Sequence, residues 1–474
     1  MENEKELSLA IAKEVAAAGG RAYLVGGIVR DGLMNRENKD IDIEVHGIEP
    51  EKLAEILDKV AQPRPEGKKS GHFAKGTSFG VYGIYGSDID IAMPRTEAAT
   101  GRGHKDFEVF VDPFLGTEKA AARRDFTINA LMQDILTGEI VDHFGGREDL
   151  KAGVLRHITP DGFAEDPLRV FRAAQFAARF GFKVAPETVE LCGKMDLSAL
   201  SCERVMGELE KALLRAEKPS IFFEVLREMN QLGTWFPELE PLIGLEQSPI
   251  YHPEGDVWVH TMQVLDNAAA VLRECWEMCS ESVRRPSSEV GFMLAALMHD
   301  LGKAVTTAEI DGRIRALQHE TKGLPIAKDL LSRLTKEKCL HKYVLNMIEL
   351  HMRPNMLAGQ GSGVKATNRL FDLSIDPPGL ILLARCDRRR EVENKFDSSE
   401  YEPFLWERLE VYEEIMKKPF VGGEDLIKAG LTPGNDFSKI LEYAHKLRLS
   451  GVPKKDALSM CLGFAEELRE KFYG

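Results

Sequence analysis

One run constrains this chain more than any other: LVGGIVRDGLMNRENKDIDIEV, residues 24–45. A strand-like stretch, RAYLVGG (21–27), ends on Gly26 and Gly27, and the helical IVRDGLMN begins at once. Glycines let the backbone approach a phosphate closely, and free N–H groups at a helix start attract anions. Arg30, one turn in, reaches toward the same anion. DIDIEV (40–45) then reads as a strand. Its two-residue period puts the carboxylates of Asp40 and Asp42 on one face and sends Ile41 and Ile43 to a core. Two carboxylates side by side suit magnesium, one ion activating an attacking hydroxyl and the other holding a triphosphate. Singly, the glycines are a turn and the acids a solvated strand edge; their order and spacing argue for a site.

A second motif, RRDFTINA (123–130), opens a stretch, RDFTINALMQDIL (124–136), whose spacing predicts a helix. Guanidinium forks bind phosphate oxygens in parallel, so Arg123 and Arg124 suit a triphosphate. Cations at a helix start oppose the helix dipole unless an anion is present. Asp125 and Asn129, four apart, share a helical face and would hold a ribose hydroxyl. On its own such a cluster is an ordinary charged surface.

Together, GGIVRD, DID and RRDFTINA resemble the head of the class II tRNA nucleotidyltransferases and bacterial poly(A) polymerases, within the polymerase-β-type superfamily. The resemblance implies a third carboxylate on a later strand; SDIDIAMPR offers Asp88 and Asp90, and the position relative to Arg95 favours Asp90. It also implies template-independent addition of CCA to the 3′ end of tRNA from CTP and ATP, with magnesium as cofactor. VDHFGGREDLKAGVLR (Asp142, Gly146, Asp149) is similar to the family's hinge, and GFAEDPLRVFRAAQFAARFGF to its base-selecting segment. By that resemblance Asp166 and Arg169 read the Watson–Crick edge, with Arg172 one step along. A carboxylate accepts from the exocyclic amine that cytosine and adenine share, and a guanidinium donates to ring or carbonyl acceptors. Asp166–Pro167 is equally the signature of a helix start. Gln175 stands where many relatives carry arginine, which alters the expected grip on the nucleotide.

A second constellation follows: His260 in VWVHTMQVLDNA, His299-Asp300 in AALMHDLGK, then His319, His351 and Asp387. Imidazole and carboxylate ligands on successive helices suit a divalent transition metal, which would supply a hydroxide for phosphoester hydrolysis. The region resembles the HD phosphohydrolase family, found fused to some bacterial CCA-adding enzymes and associated there with phosphodiesterase and cyclic-phosphate activities.

The chain has 474 residues, too many for one core. An α/β head with a mixed sheet is expected over 1–150, a helical neck over 151–245, an HD-type helical body over 246–395 and a helical tail over 396–474. The polar stretch TEAATGRGHKDFEVF (96–110) reads as a loop, EQSPIYHPEGDVW (246–258) as a linker, and VYGIYGSDIDIAM (81–93) as a strand. VGGEDLIKAGLTPG (421–434) reads as a helix between glycine turns, either a surface helix-turn-helix or an RNA contact through Gly422, Gly423 and Gly434; Arg388, Arg389 and Arg390 are a further candidate contact, with a solvated face the plainer reading. A net charge of −14 argues against a general nucleic-acid coat protein but leaves room for a local basic strip. Seven scattered cysteines, an acidic N-terminus and the lack of a long apolar run point to the cytoplasm, away from any membrane. No protein partner is inferable. The rivals are a poly(A) polymerase or partial CC- or A-adding enzyme and, from another class, an HD hydrolase with a vestigial head.

Overall fold

The computed structural model describes residues 2–38, 40–61, 71–74, 80–99, 107–249, 252–277, 286–388 and 401–473. Outside them lie the middle of the expected loop at 96–110, part of the linker at 246–258, Cys279, and Arg389 and Arg390. The chain forms two compact units, residues 1–200 with 224–231, and 201–223 with 232–474.

In the first unit the elements run α1 (Glu2–Ala17), β1 (Arg21–Val25), α2 (Gly27–Leu33), β2 (Ile41–His46), α3 (Pro50–Val60), β3 (His72–Ala74), β4 (Val81–Ile84) and β5 (Ile89–Ala92). There follow β6 (Arg95–Ala99), β7 (Phe107–Val111), α4 (Thr117–Ala122), a 3-10 turn (Thr127–Asn129), β8 (Met132–Asp134), β9 (Ile140–Val141) and α5 (Gly146–Ala152). Then come β10 (Val154–Leu155), α6 (Pro160–Ala164), α7 (Leu168–Phe180), β11 (Lys183–Val184) and α8 (Pro186–Gly193). Seven strands make one mixed sheet in the order β3-β4-β5-β2-β1-β8-β9. Only β2 and β5 pair in parallel within it; its other neighbours are antiparallel.

The alternation of DIDIEV is realised in its first part, with Asp40 just outside the strand: Ile41, Ile43 and Val45 are buried and Asp42 is exposed, while Glu44 is buried on the Asp42 face. The isoleucines join Ile11, Leu53, Ile89 and Ile91 in the main core of the head. Each such side chain contributes about 1.5–3 kcal/mol on burial, so this face fixes the strand register.

Three expectations are corrected. The single strand over 81–93 is two, β4 and β5, antiparallel to each other. The stretch 124–136 is not a helix but a 3-10 turn followed by β8, whose Met132 and Asp134 pair with Val25 and Tyr23. Two forces explain this. Asp125 accepts hydrogen bonds from the Phe126 amide and from Asn129 Nδ2, which competes with helical bonding, and β1 needs a partner along its second edge. The loop at 96–110 is framed by an antiparallel pair, β6 with β7, Arg95 opposite Val111.

Arg123 consequently caps the C-terminal end of α4 and does not open a helix. Cations are favoured there without any anion. The hinge motif is structural: Asp142 accepts from the amides of Gly146 and Arg147, and Asp149 from Thr127 and Arg156. A Cβ at Gly146 would lie 2.2 Å from the Thr127 carbonyl oxygen.

In the second unit, helices dominate: α9 (Cys202–Arg215), α10 (Ser220–Glu228, whose residues from Glu224 on belong to the first unit), α11 (Leu232–Trp235), α12 (Val257–Glu277), α13 (Glu289–Met298) and α14 (Lys303–Thr306). A hairpin, β12 (Thr307–Ile310) and β13 (Arg313–Ala316), precedes α15 (His319–Leu334), α16 (Lys338–Leu350), α17 (Met352–Gly359), α18 (Val364–Leu373) and α19 (Pro377–Arg388). The chain ends with α20 (Tyr401–Lys417), α21 (Gly423–Lys428), α22 (Phe437–Leu449) and α23 (Lys454–Tyr473). Helix α13 is buried along its whole length except its first two residues, which explains its unbroken apolar sequence GFMLAALM. The expected helix at 421–434 is α21, capped at Gly422 through Asp425. No helix among the described residues is long and apolar enough to cross a membrane.

Candidate functional site

In the head, the parallel register places Asp42 beside Asp90 on adjacent strands, on the face opposite the isoleucines. Asp40, exposed, stands just before β2, its amide bonded to Asn38 Oδ1. Gly26 has φ 71°, a conformation suited to glycine. A Cβ there would lie 3.1 Å from Arg124 Nη1 and 3.9 Å from Asp42 Oδ2. The glycine turn, an arginine and an acid therefore meet at one point.

Arg124 is held by Glu44, two residues past Asp42 on the same face, at 3.4 Å, and by the Asn129 carbonyl at 3.4 Å. Burial disfavours the Glu44 carboxylate, but His46 and Arg124 outweigh it and keep its pKa below the usual range. The sequence reading missed Glu44.

Arg30 is placed differently from expectation. Only 4% exposed, it binds Asp31 Oδ1 through Nε (2.7 Å) and Asn129 Oδ1 through Nη1 (2.6 Å), and lies over the rings of Phe176 and Phe180. It braces α2 against α7, with Nη2 near Gly27, and is not a cation facing solvent. Asp31 and Asn38, which complete this brace, were also missed; the acid of GGIVRD was the available signal.

Asp125 and Asn129 do meet, Nδ2 to Oδ1 at 2.9 Å. Asp125 also takes Arg172 Nε at 2.7 Å; burial opposes its charge, yet Arg172 and Asn129 keep its pKa low. Arg169 donates to the carbonyls of Gly162 and Arg123, tying α7 to RRD. Asp166 accepts from the Leu168 amide, so it stabilises the start of α7. Gln175 is buried and its Nε2 has no hydrogen-bond partner among the described residues.

In the second unit the six expected ligands converge. His260 Nε2 lies 3.1 Å from Asp387 Oδ1 and 3.4 Å from His299 Nε2. Asp300 Oδ2 is 3.2 Å from His299 Nε2, and Asp300 Oδ1 is 3.2 Å from His319 Nε2. His319 and His351 bring their Nε2 atoms to 3.3 Å. The Nδ1–H groups of His299, His319 and His351 donate to the carbonyls of Ala296, Ala316 and Ile348 at 2.8, 2.8 and 2.7 Å. That fixes the tautomer and leaves each Nε2 lone pair facing inward.

These residues fit a divalent metal. Two nitrogens at about 2.0–2.1 Å from one tetrahedral ion stand about 3.3 Å apart, as the His319–His351 pair does. Both Asp300 oxygens are buried and, among the described residues, lack hydrogen-bond geometry to any donor, although Lys303 Nζ is 2.7 Å away. Asp300 belongs to two ligand groups at once, with His260 and His299, and with His319 and His351. Glu254 Oε1 accepts from Nδ1 of both His260 (2.8 Å) and His252 (2.9 Å), and Lys303 also binds Gln247. Glu254, His252, Lys303 and Gln247 were not found from sequence; only Lys303 had a local signal that could have found it, its place in the HDLGK run.

Residues 22–156 match the family model of the poly A polymerase head domain, and 257–390 that of the HD domain. Residues 181–243 match a probable RNA and SrmB-binding site of polymerase A. The multifunctional CCA protein of Alkalilimnicola ehrlichii is 40% identical over 321 residues, 66% of this chain and 70% of that one. The chain belongs to the multifunctional CCA protein family. A second member, from Stenotrophomonas maltophilia, is 38% identical over 381 residues, 79% of this chain and 82% of its own. Among solved structures, the Thermotoga maritima CCA-adding enzyme complexed with tRNA has a TM-score of 0.61 at 21% identity, covering 97% of this chain and 95% of that one. A CCA-adding enzyme with CTP has a TM-score of 0.65 at 21% identity, with coverage of 97% and 95%. These likenesses establish the fold: a mixed-sheet head followed by a mostly helical chain.

Proposed function

We propose that this chain adds CMP, CMP and AMP to the 3′ end of tRNA, taking them from CTP and ATP. One observation carries the reading: Asp42 and Asp90 are register partners on parallel strands, beside Gly26 and Arg124. Family membership supports it, as do relatives solved with tRNA and with CTP.

Asp40, Asp42 and Asp90 would hold magnesium, which when bound supplies charge for the triphosphate and acidifies the attacking hydroxyl. Arg124, oriented by Glu44, holds phosphate oxygens, with Arg123 beside it and the backbone of Gly26 and Gly27 making room. Asp125, Asn129 and Arg30 form the buried frame behind them, and Arg172 pins that frame to α7. Asp166 and Arg169 read the base; for Arg169 this means exchanging a backbone carbonyl for a base acceptor.

For the second unit the reading is metal-dependent phosphoester hydrolysis, supported by the inward Nε2 atoms and the buried Asp300 oxygens. His260, His299, Asp300, His319, His351 and Asp387 would hold a divalent transition metal, which supplies an acidified water. In domain terms, 1–150 transfers nucleotides, 151–245 selects them, 246–395 hydrolyses and 396–474 contacts RNA, in the cytoplasm.

The test uses tRNA transcripts ending before the first C, the second C and the A, each given one labelled nucleotide at a time. Ordered CMP, CMP and AMP incorporation is expected. AMP alone on every end would favour poly(A) or A-only addition, and no incorporation alongside phosphatase activity would favour the hydrolase reading.

A further inference from the structure

We propose that a groove on α17 and α18, which no matched feature assigns, binds the sugar-phosphate backbone of the RNA substrate. The inference rests on the RNA-extending reading above and adds a contact surface to it.

The groove is a cavity of about 910 Å³, lined by Arg353, Met356, Val364, Lys365 and Arg369 among others. Among the described residues, no acidic side chain lines it. Arg353, Lys365 and Arg369 are all exposed, and none has an ion pair with another described residue. Surface cations in a chain of net charge −14 ordinarily find carboxylates, so three together without one is unusual.

Sequence and packing maintain that imbalance. From 352 to 373 the run MRPNMLAGQGSGVKATNRLFDL holds those three cations and one acid, Asp372. Asp372 is drawn away from the groove: its Oδ2 accepts from His445 at 2.8 Å and its Oδ1 from Tyr412. Helix α18, ten residues long, starts at the rim, and its N-cap Gly363 gives no side-chain cap, so its first amides add positive potential to that of the cations. Lys365 and Arg369 are four apart, one turn, and so point along the same helical face.

The apolar lining decides between ligands. Met356 is 51% exposed, and Leu357 and Val364 lie beside it. Charges spread along a groove this large suit a repeating polyanion, each phosphate meeting one cation, better than one small anion, which would need them focused on a point. Thioether and aliphatic surface suits the ribose faces between phosphates.

The experiment uses the full-length protein and a tRNA transcript lacking CCA. The dissociation constant is measured from about 50 to 200 mM salt for wild type and for the triple variant R353E/K365E/R369E. The charge reversal is expected to weaken binding at least tenfold and to reduce the salt slope by about 2 to 3. KM for the transcript should rise, with KM for CTP and kcat unchanged. The neutral variant R353Q/K365Q/R369Q should show a smaller loss in the same direction, and unaltered melting and metal content verify folding. Unchanged affinity and slope in both variants would overturn the proposal, including in favour of an acidic protein partner. Failure of wild type to extend any transcript would instead count against the proposed function, because binding is read without extension.

Discussion

Asp42 of β2 and Asp90 of β5 are direct neighbours across a parallel pairing, the one parallel pair in the seven-stranded sheet. Converting either to asparagine should lower nucleotide addition by about a thousandfold or more, because several kcal/mol of charge stabilisation is lost at the triphosphate. Thermal unfolding should move by less than about 0.5 kcal/mol for the exposed Asp42. Single-turnover assays with labelled CTP, beside a melting curve, check both halves.

Glu44→Gln should act through Arg124. With the carboxylate gone, the guanidinium loses the partner that aims it beside Gly26. KM for CTP and ATP is expected to rise about five- to tenfold, roughly 1–1.4 kcal/mol, with a smaller change in kcat. Equal losses in both parameters would place Glu44 elsewhere in the mechanism.

Arg172→Ala should be a stability variant first. It strands Asp125, whose side chain is 7% exposed, while Arg172 itself is 32% exposed. Loss of one partner from a fully buried pair costs about 3–5 kcal/mol; this half-open pair should cost about 2–3. Urea denaturation, fitted with a constant m-value, reads the difference directly.

Glu254→Gln should lower divalent-metal affinity of the second unit by about 10–100-fold, since Glu254 fixes the ring of His260. Calorimetric titration of metal into the stripped protein measures this. CCA addition should be untouched.

Protons and metal should compete at the same centre. Burial works against a charged His260, but Asp387 and Glu254 outweigh it and raise its pKa to about 9. Because that value lies above the ordinary histidine value of about 6.5, the stabilisation it gives the metal-free protein is complete below 6.5 and is lost as pH climbs through 9. His351 runs the other way: burial and His299 depress it to about 3, so its contribution disappears as pH falls from 6.5 toward 3. Melting temperatures of the metal-free protein across pH 4–10 should show both flanks, and metal affinity should strengthen up to about pH 9.

Much of this was legible from sequence because the chemistry is local. Gly26-Gly27, the alternation of Asp42 with its isoleucines, and the His299-Asp300 pair each announce their geometry within a few residues. What escaped depends on chain segments meeting far apart. Arg30 looked free because nothing nearby in sequence reveals Asn129, Phe176 or Phe180 closing over it. The stretch 124–136 has apolar residues that satisfy helical spacing equally well, and only the open edge of β1 turns them into a strand. Glu254 and Gln247 matter through bonds to His260 and Lys303 that the fold alone creates.

Strand β2 gives one face to Ile41, Ile43 and Val45 and the other to Asp42 and Glu44. Inserting or deleting a single residue there would exchange the two faces, turning the site's carboxylates into the core around Ile11 and Leu53 and the core's isoleucines toward the site. Such a lesion would surface as insoluble or degraded protein, never as a well-folded but silent enzyme. Inheritance of the architecture and inheritance of the catalyst are, along this strand, a single event.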